Sequence, residues 1–303
     1  MQYLNKVKIR YKKPDLLIYI IEKLSFCDII YIVPIIYERR LDKMSKPRIG
    51  ILILALVVLI TSIASGDVLV KDVEASPWNY RIISSNSEAP MRGVILYLHG
   101  AGASEAPGKA LRCLQYMEDV TGPAAFAKNG EAFPPEGYVF ICPQGQQGHT
   151  FRQDPEALAE LIRQFRDFAH QLDVPLIVVG HSAGAIAEYA VVAKEPDIAD
   201  AWVFLSGKNQ HNYGLEAIPE GLTNVMVVYA SREDMLKNYA QRDFGYLFSE
   251  NLDNYYGKDC AFVEETTHNA FVTSGDWYHG TVPLVLKQQF FWDWVAGIKE
   301  EGK

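Results

Sequence analysis

The chain has 303 residues, 49% of them hydrophobic and 22% charged, a composition that excludes a disordered polymer and suffices for one large domain with an appendage. Its net charge of −8 is unevenly spread: residues 1–65 hold 11 Lys/Arg against 5 Asp/Glu, which leaves 18 against 32 beyond them. So acidic a main domain is a poor ligand for DNA, RNA or anionic membranes, and four cysteines (Cys27, Cys113, Cys142, Cys260) without C-x-x-C spacing give no basis for a metal site.

In chain order, residues 16–36 are apolar but carry Glu22, Lys23, Asp28 and Pro34. Each charge costs about 2.5–3.5 kcal/mol at the centre of a membrane helix, so no span is expected there. The run Ile49–Ile60 (IGILILALVVLI) follows Lys46 and Arg48 and precedes TSIASG. Basic flank, apolar stretch and small-residue region form the layout of a secretory signal, and a run prolonged through Ala64 approaches the roughly 17 residues that span a bilayer. Residues 44–66 are therefore expected to be a signal peptide or a retained membrane anchor, with a buried core helix as the weaker alternative. Met44 opens this grammar, so residues 1–43 are read as an extension that translation from Met44 would omit. The basic flank stays cytoplasmic in either case. That places residues 67–303 outside the cell or on the outer face of the cytoplasmic membrane, with membrane contact only through the N-terminal segment.

Beyond residue 67, apolar runs alternate with amphipathic stretches, the rhythm of a mostly parallel sheet with helices on both faces. Strands are expected at Val68–Val73, Tyr80–Ser84, Val94–His99, Tyr138–Cys142, Leu176–Gly180, Ala201–Leu205, Val225–Ala230 and Ala261–Glu264. Cys142 ends one of these runs and reads as a buried small hydrophobe. Three cysteines beyond residue 65 allow at most one disulfide in that part. Asp154-Pro155 opens a helix whose apolar residues Leu158, Leu161, Ile162, Phe165 and Phe168 recur at helical spacing up to Leu172. Pro283–Ile298 reads as a closing helix.

The chemistry concentrates at Leu176–Ala185, LIVVGHSAGA: a buried strand, then G-x-S-x-G, then helix-forming residues. A serine on a sharp strand-to-helix turn takes a strained backbone, and side chains two residues to either side would collide, which suits Gly180 and Gly184. The turn also aims a helix N-terminus at a reacting group. The bare pattern arises by chance in roughly one chain in ten of this length, so the flanking strand and helix carry the inference, against an ordinary βα turn. About 80 residues earlier, Val94–Gly102 (VILYLHGAG) runs a strand into a glycine-rich turn of the kind that frees a backbone N–H for an oxyanion. The donors are assigned to the N–H groups of Ala101 and Ala183. His99 is expected to hold the turn by hydrogen bonding. A phosphate loop is excluded by the lack of a G-K-[ST] ending.

LHGAG, PQG at Pro143–Gly145 and GHSAGA together resemble the α/β-hydrolase superfamily, and within it small esterases similar to polyhydroxybutyrate-depolymerase-like and feruloyl-esterase-like proteins. The resemblance covers about residues 67–298. It implies an eight-stranded, mostly parallel α/β-hydrolase fold and a triad in the order Ser, Asp or Glu, His. The acid position of the superfamily, after the second strand beyond the nucleophile, falls on Ser231-Arg232-Glu233-Asp234. Asp234 is the expected acid, with Glu233 the alternative. His268, followed by Asn269-Ala270-Phe271 as in dienelactone-hydrolase-like members, is the expected base in the loop after the last strand, and His279 the alternative. Ser206–Thr223 is too short for a large cap domain. Substrate contacts are expected from Ser104–Gly137 and Gln144–Gln153, which contains His149.

The expected reaction is cleavage of a small-molecule carboxylic ester through an acyl-enzyme on Ser182, without metal or cofactor. A serine peptidase, an acyltransferase or a thioesterase would carry the same motifs. A catalytically silent, membrane-tethered binding domain is the alternative from another class.

Overall fold

The structure is a computed structural model, and it describes residues 69–73, 78–85, 89–100, 122–123, 126, 134–144, 151–207, 219, 222, 224–229, 270–273 and 285–298. The chain divides into the units Met1–Ile49 and Gly50–Lys303, and all of these residues belong to the second. Among them no helix is long and apolar enough to cross a membrane. The run Ile49–Ile60 lies outside the described residues.

Eight strands form one sheet: β1 (Leu69–Val73), β2 (Tyr80–Ser84), β3 (Gly93–Leu98), β4 (Tyr138–Pro143), β5 (Leu176–His181), β6 (Ala201–Leu205), β7 (Val225–Tyr229) and β8 (Ala270–Thr273). Their spatial order is β1-β2-β4-β3-β5-β6-β7-β8. β2 runs antiparallel to both neighbours, and every pairing from β4 to β8 is parallel. This is the α/β-hydrolase arrangement that the motifs imply.

Helices cover both faces because the central strands are apolar on both. Leu96, Val178, Phe204 and Val227 face one core, which includes Leu158, Leu161, Ile162 and Phe165 of α1 (Pro155–Gln171) and Ala187 and Val191 of α2 (Ala183–Val192). Ile95, Val179, Val203 and Val228 face the other, which is completed by Phe291, Trp292, Trp294 and Val295 of α3 (Gln289–Gly297). Asp154 caps α1 by accepting from the Ala157 N–H at 2.9 Å, with Pro155 at the first helical position. The helix ends in a Schellman turn. The Asp173 N–H donates to the His170 carbonyl and the Val174 N–H to that of Ala169, each at 3.1 Å, with Asp173 at φ 62° where glycine is usual.

Two expectations are corrected. The expected closing helix Pro283–Ile298 is interrupted: Val285 and Leu286 are helical, Gln288 is extended, and the helix resumes at Gln289, with the Leu286 carbonyl accepting from the Trp292 indole at 2.8 Å. The strand beside β7 is Ala270–Thr273, whereas the sequence pointed to Ala261–Glu264, a segment outside the described residues.

Candidate active site

Ser182 follows β5 directly and forms the N-cap of α2 at φ 53°, ψ −109°, a left-handed conformation that costs a non-glycine residue about 1–3 kcal/mol. Three contacts hold it. The Ser182 N–H donates to the Leu205 carbonyl of β6 at 2.9 Å. A Cβ on Gly184 would overlap the Leu98 carbonyl oxygen, so α2 lies directly on the end of β3. A Cβ on Gly180 would stand 2.5 Å from Oε2 of Glu188 and 2.6 Å from the Ala185 nitrogen. The space that both elbow glycines leave open is thus occupied, as the G-x-S-x-G pattern requires.

The Ile186 N–H donates back to the Ser182 carbonyl at 3.0 Å, so the amides of Ala183, Gly184 and Ala185 precede the first helical donor. They give the turn a donor-rich, partly positive end. Ala183 is its first residue and is buried. The His99–Gly100 turn lies alongside: a Cβ on Gly100 would be 3.5 Å from the Ser182 Cβ and 3.3 Å from Nδ1 of His181. His99 is buried against Phe151, with ring centroids 4.8 Å apart, and its Nδ1 lies 2.7 Å from the Gly100 carbonyl. Burial lowers its pKa to about 4, against a smaller opposing effect of that bond. The ring is therefore neutral and donates through Nδ1–H, which pins the turn.

All parallel strands end at one edge. His181, Leu205, Val228 and Val272 lie level across β5 to β8, so the turn after β5, the segment after β7 and the segment after β8 leave the sheet on the same side. Ala101, Glu233, Asp234, His268 and His279 lie outside the described residues. The placement of β8 nevertheless bears on the base: in sequence, His268 precedes this strand and His279 follows it.

His170 is engaged at the opposite edge, with Nε2 2.9 Å from Oδ2 of Asp200, the same oxygen that accepts from the Leu176 N–H at 2.7 Å. Among the described residues, no group of three or more His, Cys, Asp or Glu side chains could hold a metal ion. Sequence reasoning missed two buried polar groups at the catalytic edge, Glu188 on α2 and Ser206 (φ 52°) after β6. Glu188 stands six residues past the nucleophile, and the wholly apolar setting of α2 was the available signal.

No family model and no curated protein matches the chain. Among solved structures it is similar to brefeldin A esterase, a bacterial homologue of human hormone-sensitive lipase (13% identity, 48% of this chain and 41% of that one, TM-score 0.34). It is also similar to an esterase of Pyrobaculum calidifontis (12% identity, 84% and 91%, TM-score 0.45). A third is S-formylglutathione hydrolase from Agrobacterium tumefaciens (11% identity, 78% and 97%, TM-score 0.42). The chain spans less than half the length of the first of these.

Proposed function

We propose that this chain is a serine hydrolase that cleaves carboxylic esters through an acyl-enzyme on Ser182. The observation that carries this reading is the Ser182 backbone, held at φ 53° between the central strand and α2 with the Gly100 turn beside it. Strain of that kind is kept where a hydroxyl must be presented at a fixed point. In the reaction a histidine takes the Ser182 proton as the oxygen attacks the acyl carbonyl, and the N–H groups of Ala101 and Ala183 hold the oxyanion. Asp234, with Glu233 as its alternative, orients the imidazole, and water then releases the acyl group.

The base is one of two histidines that flank β8 in sequence. The Asn269-Ala270-Phe271 pattern supports His268. The course of β8 supports His279, because the chain beyond Thr273 leaves the sheet at the edge that carries Ser182.

The test is covalent labelling of the full chain by a fluorophosphonate together with turnover of p-nitrophenyl esters. Labelling that disappears in Ser182→Ala supports the reading. Labelling that persists there would assign another nucleophile, and a folded wild-type chain that never labels would favour a silent binding domain. Loss of turnover by several powers of ten in only one of His268→Ala and His279→Ala identifies the base. Acyl-CoA and aminoacyl amides in the same panel separate thioesterase and peptidase activity. Export is a further proposal, resting on the basic residues before Ile49 and checked by protease accessibility on intact cells.

A further inference from the structure

Glu188 is fully buried on α2, and neither of its carboxyl oxygens has a hydrogen-bond partner among the described residues. Its position shows what the group touches. Side chains on a helix lean toward the N-terminus, which brings this carboxyl back from the second turn of α2 over the first. Its Oε2 and Cδ lie 2.5 and 2.6 Å from the point where a Gly180 Cβ would stand, and the Ala185 nitrogen lies 2.6 Å from the same point. Two residues beyond Ser182, the Leu98 carbonyl is packed against Gly184. The segment that bears Ser182 thus meets the Glu188 carboxyl at Gly180 and the end of β3 at Gly184. A strained backbone persists only where its surroundings deny it room to relax, and these two surfaces add to the Ser182 N–H bond to Leu205 and to the nearby Gly100 backbone.

We propose that Glu188 is a positioning residue for the nucleophile, its carboxyl forming the wall against which the Gly180–Ser182 turn is held. This rests on Ser182 being the nucleophile. Burial raises the carboxyl well above the usual carboxylate range. That direction favours the uncharged form, which would leave the positive end of α2 to the oxyanion. Its effect is steric, so another side chain of equal length should replace it.

The experiment measures kcat and KM for a p-nitrophenyl ester, and the rate of fluorophosphonate labelling, in the full chain carrying Glu188→Ala, Glu188→Gln or Glu188→Met. Rates are taken per titrated active site. Glu188→Ala is expected to lower kcat and the labelling rate roughly ten- to a hundredfold, with KM within about twofold. Glu188→Gln and Glu188→Met should remain within about threefold of wild type. Where the alanine variant does not fold, Glu188→Val leaves a smaller gap and should show a smaller loss of the same kind. A residue that merely fills the core would leave kcat per folded site untouched, and that result overturns the proposal. So does a methionine variant as slow as the alanine one. A wild-type chain that neither labels nor turns over ester overturns both this inference and the esterase reading, whereas a labelled wild type matched by Glu188→Ala overturns this one alone.

Discussion

Substituting Gly184 by alanine tests how tightly α2 is pressed onto β3. The new Cβ would overlap the Leu98 carbonyl oxygen and approach the Leu98 carbonyl carbon to 2.7 Å and its Cβ to 2.9 Å. Carbon atoms in contact sit about 3.5–4.0 Å apart, so helix and strand must separate by about 1 Å. Neither yields easily. Leu98 is fully buried and in register with Gly180, and every residue of α2 is buried. Overpacking costs about 1–3 kcal/mol, and a clash of backbone against Cβ belongs at the upper end. At roughly 2–4 °C per kcal/mol for a domain of this size, the melting temperature should fall by about 6–12 °C. The kinetic effect should be larger, because the displaced Leu98 leads directly into His99–Gly100. A shift of about 1 Å at such a turn lowers kcat/KM on the order of a hundredfold. Gly207→Ala is the comparison, since its Cβ would meet side chains only, Tyr189 Cε2 at 2.8 Å and Ala185 Cβ at 2.9 Å. It should destabilise comparably with a much smaller loss of rate. Ester turnover and thermal unfolding on the two variants decide the matter. A Gly184→Ala protein that keeps more than about a third of wild-type kcat/KM would refute the reasoning.

Ser182→Gly should abolish labelling and raise stability by about 1 kcal/mol, measured by urea unfolding, because glycine adopts φ 53° without strain. Asp173→Gly should stabilise the end of α1 by about 0.5–1 kcal/mol for the same reason, with activity unchanged. His99 makes stability depend on acid. Its folded pKa of about 4 lies below the usual histidine value of 6.5, so the unfolded chain binds the extra proton first. The contribution, up to about 3 kcal/mol, is complete above pH 6.5 and is lost as pH falls toward 4. His99→Asn should remove that slope in urea midpoints recorded across this range.

Much of the fold was legible because its central strands are buried on both faces. A continuous run such as VILYL or LIVVG has few other structures open to it, and the seven strands from Leu69 to Tyr229 lie within about a residue of their expected limits. The elbow was legible for a related reason, since only glycine fits against Leu98 and Glu188. β8 was not. Ala270-Phe271-Val272-Thr273 is four residues long, and Ala261-Phe262-Val263-Glu264 carries an equal β signal nearby. Which of two such segments pairs with β7 depends on tertiary contacts that local pattern does not encode. Glu188 escaped notice because a charged residue among alanines reads as a solvent-facing position, and its burial follows only once α2 is placed between β5 and α1.

The place of β3 has a consequence for synthesis. In the finished sheet it lies between β4 and β5, and both follow it in the chain. Leu96 pairs with Ile141 and Val178, partners about 45 and 82 residues downstream. At a translation rate of about 5–20 residues per second, the segment Val94–Leu98 waits roughly 2–9 s for its first neighbour and about 4–16 s for its second. During that interval it is an uncharged apolar strand with both edges open, the kind of segment that nucleates aggregation. Production of this chain should therefore be limited less by the stability of the folded domain than by how well a chaperone shields β3 until Val178 has emerged.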